Sequence, residues 1–186
     1  STVTQMDAAA KRIADAATRR EQVAIFGDYD VDGATSAALL AWNLRHCGLD
    51  PLIHIPDRIF EGYGPNVEAI RMLADKGATL LVTVDCGTTS LEPLAEARRL
   101  GMSVVVIDHH QCGDELPEVD SLVIRTGPTI SRVSANSPPS ASCWSRWWRS
   151  TANCAAAVSG APKCRSRICS ACCTTSRLVP SPMSRR

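Results

Sequence analysis

The first 123 residues predict an α/β fold, a Rossmann-like parallel sheet with flanking helices, and three observations carry that prediction. Apolar, β-branched runs recur at four places, Val23 to Phe26, Leu52 to Ile55, Thr79 to Asp85 and Ser103 onward. Segments of ten or more residues with helical character separate them, and Gly48, Gly77 and Gly101 close those segments. Crossovers of that length join parallel strands, so the runs line up as βαβ units with helices on both faces.

Each element has its own justification. The alanine-rich stretch MDAAAKRIADAATRR suits a helix from Met6 to Arg20, with Ile13 and Ala16 to Ala17 on its apolar side. VAIF is a short buried strand. The next helix runs from about Ala34 to Cys47 and stops at Gly48, as glycine-terminated helices do. After the strand PLIHI comes the loop PDRIFEGYGPN, whose Pro65 and Asn66 open the helix VEAIRMLADKG. TLLVTVD, the turn CGTTS, the helix LEPLAEARRLG and the strand SVVVIDHH complete the series. The organisation read from this is an N-terminal helix over 1–22, an α/β domain over 23–123 and a tail over 124–186.

The chemistry gathers where those strands end. Asp28, Asp30 and Asp32 follow the first strand, Asp85 closes the third, and Asp108, His109 and His110 follow the fourth. Parallel sheets bind ligands at the carboxyl ends of their strands. Three carboxylates within five residues repel one another, and burying any of them unpaired costs several kcal/mol. A turn with a helix N-cap accounts for one of them, Asp32 before Gly33, and not for three. Hard oxygen donors with one or two imidazoles suit Mn²⁺ or Mg²⁺ better than a structural zinc, which prefers thiolates. A dinuclear site is the economical expectation: Asp85 bridges two divalent cations about 3.5–4 Å apart, which lower the pKa of a bound water and clamp a phosphate for in-line attack.

GDYDVDG, VTVDCGTTS and VVVIDHH resemble, in order, the first three motifs of the DHH phosphoesterase superfamily. Over roughly residues 5–123, with PDRIFEGYGPN and DHHQCGDELPE, the chain is similar to the RecJ family of bacterial 5′→3′ exonucleases specific for single-stranded DNA. The resemblance implies phosphodiester hydrolysis with two divalent cations, Mn²⁺ or Mg²⁺, in DNA repair and recombination. It implies metal ligation by Asp30, Asp32, Asp85 and His109, with Asp108 and His110 orienting or contacting phosphate. Many family members carry a histidine where this chain has Phe26, so Asp28 or water is expected to complete the first metal's shell. Arg58 and Tyr63 match the same pattern as phosphate-side groups, though a surface ion pair explains Arg58 equally well. Other DHH phosphoesterases, acting on short oligonucleotides, cyclic dinucleotides or pyrophosphate, are the alternative, as is a non-catalytic remnant that binds metal or nucleic acid.

The net charge of +1 conceals a division. Residues 1–124 hold all 19 acidic and ten of the 20 basic residues, a net of −9, and residues 125–186 hold ten basic residues and no acid. The last third also has six of the nine cysteines and 13 serines, with no sustained period. Three readings compete for it: a basic disordered arm for nucleic acid, a zinc module built on the C-x-x-C of Cys169 and Cys172, and a shifted reading frame. A shift of one base turns Trp147 and Trp148 into valine, Trp148 and Arg149 into alanine, and Met183 and Ser184 into valine. Extended with permitted codons, Cys172 to Ser184 becomes L-H-D-L-A-A-G-T-V-A-D-V, which looks like the family's fourth motif with its metal-binding aspartate. That reading is preferred over a zinc module, for which a second cysteine pair is missing, and over a functional arm. It predicts a fragment whose activity is weak or lost and whose tail is unstructured. The chain starts at Ser1, and reads as a fragment or processed product. No secretory or membrane-spanning run is seen, so a cytosolic location is expected, with single-stranded DNA and a single-strand-binding protein as partners and no membrane contact.

Overall fold

Three five-residue, mostly apolar strands alternate with helices, and the result is a sheet whose central strands are buried on both faces. The computed structural model describes residues 2–3, 5–111 and 115–126. The basic arm, the Cys169 and Cys172 pair and the shifted-frame fourth motif lie outside the described residues. Eleven elements follow in order: β1 (Thr2–Val3), α1 (Met6–Arg19), β2 (Val23–Gly27), α2 (Val31–His46), β3 (Leu52–His54), α3 (Val67–Asp75), β4 (Leu80–Val84), α4 (Leu91–Arg99), β5 (Ser103–Ile107), β6 (Ser121–Val123) and β7 (Arg125–Thr126). No helix among the described residues is long and apolar enough to cross a membrane.

The five-stranded sheet has the order β3-β2-β4-β5-β6 and every pairing in it is parallel. Alternation of side chains divides its residues between two layers. Val23, Ile25, Val82, Val84 and Val105 pack with Ile13, Ala16, Leu40 and Leu44 of α1 and α2 on one face. Ala24, Phe26, Leu81, Val104 and Val106 pack with Ile70, Leu73, Leu94 and Ala97 of α3 and α4 on the other. Burying a residue such as Leu40 or Ile70 completely contributes about 1.5–3 kcal/mol each, so the two layers are the main source of stability.

The structure departs from the sequence expectation in three places. A fifth parallel strand, β6, follows a stretch too short to show a period, and β1 pairs with β7 as a separate antiparallel ribbon. Gln5 links the two regions: its side-chain oxygen accepts from Leu122 N, and its carbonyl accepts from the Ser121 hydroxyl. The third difference is the start of α2, which begins three residues before Ala34. Asp30, rather than Asp32, is the N-cap, its Oδ1 accepting from Gly33 N at 2.8 Å.

The chain leaves β2 to form β3 on one side, then crosses back to form β4 on the other side of β2. Between β2 and β4 the winding direction reverses. That switch point is where an open parallel sheet has a crevice at its carboxyl end.

Candidate metal centre

Strand register brings the strand-end aspartates into one row. Gly27 lies opposite Val84, Val84 opposite Ile107, and Ile107 opposite Val123. The residues one step further, Asp28, Asp85 and Asp108, each donate a backbone N–H to the neighbouring strand, to the carbonyls of Val84, Ile107 and Val123. All three carboxylates are thereby held at the rim of the crevice, on rigid backbone, and all three residues are buried.

Asp85 stands at the centre. Its oxygens fall into two groups of possible ligand atoms, one with Asp28 and Asp30 and one with His109 and His110; within each group the atoms lie within 4.8 Å of one another. Oδ1 of Asp85 is 2.8 Å from His109 Nε2, and Oδ2 is buried with no hydrogen-bond partner. The backbone at Asp85 is left-handed, with φ +63°, a conformation aspartate tolerates better than most residues but which still carries strain. A residue with an orphaned buried carboxylate oxygen on strained backbone, grouped with two further carboxylates, is the donor arrangement a hard divalent cation fits.

Asp28 and Asp30 supply the β2 side. Asp28 turns its Oδ1 onto the following N–H, Tyr29 N, at 2.7 Å. Burial raises its pKa despite that bond, and the nearby charges of Asp30 and Asp85 push the same way. Gly33 makes the approach possible: a Cβ there would sit 2.5–2.6 Å from the backbone O and N and the Cβ of Asp28. Asp32 lies in the first turn of α2, outside both ligand groups among the described residues, although its charge helps raise the pKa of His109.

Asp108 has a different role in this geometry from Asp28 and Asp85. Its Oδ1 accepts from the backbone N–H groups of His109 (2.7 Å) and His110 (3.0 Å) and faces His110 Nδ1 at 2.7 Å. Its Oδ2 accepts from the amide and hydroxyl of Thr88. Burial alone would raise its pKa, but the donors from Thr88 and His110 outweigh it and hold the carboxyl below its ordinary value. Surrounded by these donors, Asp108 fixes the orientation of the His110 ring. His109 is raised in pKa, first by its hydrogen bond to Asp85 and then, against partial burial, by the charges of Asp85, Asp108 and Asp32.

The 56–66 loop closes one side of the rim. Tyr63 places its hydroxyl 3.3 Å from His110 Nδ1 and its ring edge-on to Tyr29. Arg58 lies over the Tyr29 ring at 5.3 Å and makes no ion pair among the described residues. Phe26, at the family's histidine position, is wholly buried under α3 and α4 with its ring 5.0 Å from His54, and does not face the centre. Sequence reasoning missed Thr88 and Gly33. A glycine in a helix's first turn was the available signal for the second; the Thr88 contact spans 20 residues and had none.

The fold is an open parallel sheet with a row of carboxylates and imidazoles at its carboxyl rim, and the sequence pattern of the DHH family, N-terminal domain, matches residues 22–159. The chain belongs to the DHH family. It is 41% identical over 118 residues to the single-stranded-DNA-specific exonuclease RecJ of Bacillus subtilis (strain 168), covering 63% of this chain and 15% of that protein. Against RecJ of Escherichia coli (strain K12) it is 39% identical over 103 residues, 55% of this chain and 18% of that one. The chain thus spans less than a fifth of the length of either relative. Among solved structures it is similar to an exonuclease RecJ bound to manganese, with a TM-score of 0.68 and 27% identity over 88% of this chain and 40% of the other. The RecJ of Thermus thermophilus in complex with Mn²⁺ shares the fold, with a TM-score of 0.64 at 24% identity over 88% of this chain and 22% of that one.

Proposed function

We propose that this chain carries the metal centre of a 5′→3′ exonuclease that hydrolyses phosphodiester bonds of single-stranded DNA with two divalent cations, Mn²⁺ or Mg²⁺. The observation that supports this reading best is Asp85, the carboxylate common to both groups of ligand atoms, with one oxygen on His109 and the other buried and unpaired. Asp28, Asp30 and Asp85 would hold one cation, and Asp32, in the first turn of α2, lies outside that group. Asp85 and His109 would hold the second. Bound there, the cations would polarise a phosphate oxygen and make a water acidic enough to supply hydroxide near neutral pH.

The remaining groups have work of their own. Asp108 fixes the His110 ring so that Nε2 can meet the phosphate side of the centre, and Tyr63 and Arg58 border the path by which a strand would enter. Arg58 can offer a forked donor to a phosphate of that strand. The cytoplasm as location and a single-strand-binding protein as partner belong to the same proposal.

The test uses oligonucleotides labelled at either end. Hydrolysis by this chain is expected to be weak, because the fourth-motif carboxylate is not among its residues. It should require Mn²⁺ or Mg²⁺, release nucleotides from the 5′ end and leave duplex intact. Preference for a dinucleotide or pyrophosphate would move the chain to another branch of the superfamily. Binding of Mn²⁺ without turnover of any of these substrates would leave it a non-catalytic remnant, and the proposal would be lost.

A further inference from the structure

The loop 56–66 carries two of the groups assigned to substrate, yet its tip is turned out to solvent: Ile59 and Phe60 are 84% and 86% exposed. A loop tip with so little apolar packing needs another source of order: Glu61 N donates to the Asp57 carbonyl at 2.8 Å, and the Glu61 carboxylate adds the bonds that reach beyond that turn. Glu61 Oε1 accepts from Asp57 N at 3.0 Å. Its Oε2 meets His54 Nε2 at 2.7 Å and accepts from Asn66 Nδ2 at 3.1 Å. These three partners sit at the end of β3, in the first turn of the loop and at the N-cap of α3, whose Ala69 N–H is capped by the other end of the Asn66 amide. Asp57 adds a local turn, its Oδ1 accepting from Ile59 N.

We propose that Glu61 is the positioning residue of this loop, tying β3, the loop's first turn and α3 together so that Tyr63 and Arg58 are held at the rim of the metal centre. Glu61 belongs to neither group of ligand atoms. The hydrogen bond from Asp57, followed by those from His54 and Asn66, outweighs partial burial and keeps its carboxyl below the ordinary glutamate range, so the latch is ionised at neutral pH. Charge-assisted bonds of this kind are the stronger class, and three on one carboxylate fix both ends of an eleven-residue loop. The effect on substrate rests on the function proposed above; the effect on loop order does not.

The experiment is hydrogen exchange on the full chain, with Glu61→Gln and Asn66→Asp. The glutamine nearly preserves volume but turns a donor toward the Asn66 amide, and the aspartate keeps the cap on Ala69 while setting a second carboxylate against Glu61. In both, the Asp57 amide should exchange at least tenfold faster while core amides such as Val82 keep their protection and Mn²⁺ affinity changes less than twofold. On single-stranded oligonucleotide, KM should rise several-fold with kcat changed less. If the Asp57 amide exchanges at its original rate in Glu61→Gln, the latch does not exist, whatever the nuclease assay gives. If the loop loosens and KM is unchanged, Glu61 orders the loop but does not position substrate groups, and the proposal fails. A chain with no hydrolysis on any substrate would count against the nuclease reading alone, since the exchange result stands apart from it.

Discussion

Asp85 and Gly33 make opposite contributions to the same crowded corner, and their substitutions should separate stability from metal binding. Asp85 brings a third negative charge within reach of Asp28 and Asp30 and leaves one oxygen unpaired. Asp85→Asn removes that charge, and asparagine accepts the left-handed backbone about as readily. In alkaline, metal-free buffer, where His109 is neutral, the variant should melt higher, by on the order of 1 kcal/mol. The same variant should take up Mn²⁺ at neither position, as read by electron paramagnetic resonance, because both ligand groups contain Asp85. Loss of only one ion would mean that Asp85 is terminal rather than bridging. Gly33→Ala should do the reverse of stabilising: its Cβ would press on backbone atoms of Asp28, which cannot swing aside as a side-chain tip could. A cost of about 1–3 kcal/mol is expected in chemical denaturation, with Mn²⁺ binding weakened as Asp28 is displaced.

At the scale of elements, most of the sheet was legible and its alignment was not. Val23 to Phe26 and Thr79 to Asp85 announce strands because five or so consecutive apolar residues bounded by polar turns have few other uses. Their endings announce a rim. Register depends on packing across the sheet, so nothing local says that Asp28, Asp85 and Asp108 stand level, or that β6 adds a fifth strand from three residues. Nor does the pattern D-x-D-x-D say which carboxylate caps the helix; in the fold it is Asp30, whose Oδ1 accepts from Gly33 N. Helix pairing is likewise invisible along the chain. Glu96 of α4 takes Arg99 of its own helix and Arg71 of α3, and those bonds hold its pKa down to about 2. A carboxylate depressed in the folded state contributes stability that is present above its ordinary 4.5 and lost as pH falls toward about 2. Glu96→Gln should therefore be less stable than the parent at neutral pH, and the gap should close across that window. A gap that persists undiminished in acid would show that packing, not charge, joins the two helices.

For the whole molecule, the division of charge sets what can hold a nucleic-acid strand. Residues 1–124 carry a net of −9, which repels a polyanion, so the metal centre and Arg58 must supply the local attraction if the strand is to bind there. Two divalent cations and one guanidinium contact few phosphates. Counterion release from a single strand then gives a shallow dependence of affinity on salt, a slope of about −1 to −2 on logarithmic axes. The ten basic residues beyond position 124 would behave otherwise. Were they to grip the strand together, the slope would steepen toward about −7 and the interaction would survive removal of the metal. We expect the first pattern: oligonucleotide binding, followed by fluorescence anisotropy in Ca²⁺ or at low temperature to suppress turnover, should be weakly salt-dependent and should vanish in EDTA. Asp85→Asn should lose it as EDTA does, since it empties the centre without touching the basic residues. Binding that persists in both cases, with a steep slope, would place the strand on the basic segment and away from the row of aspartates.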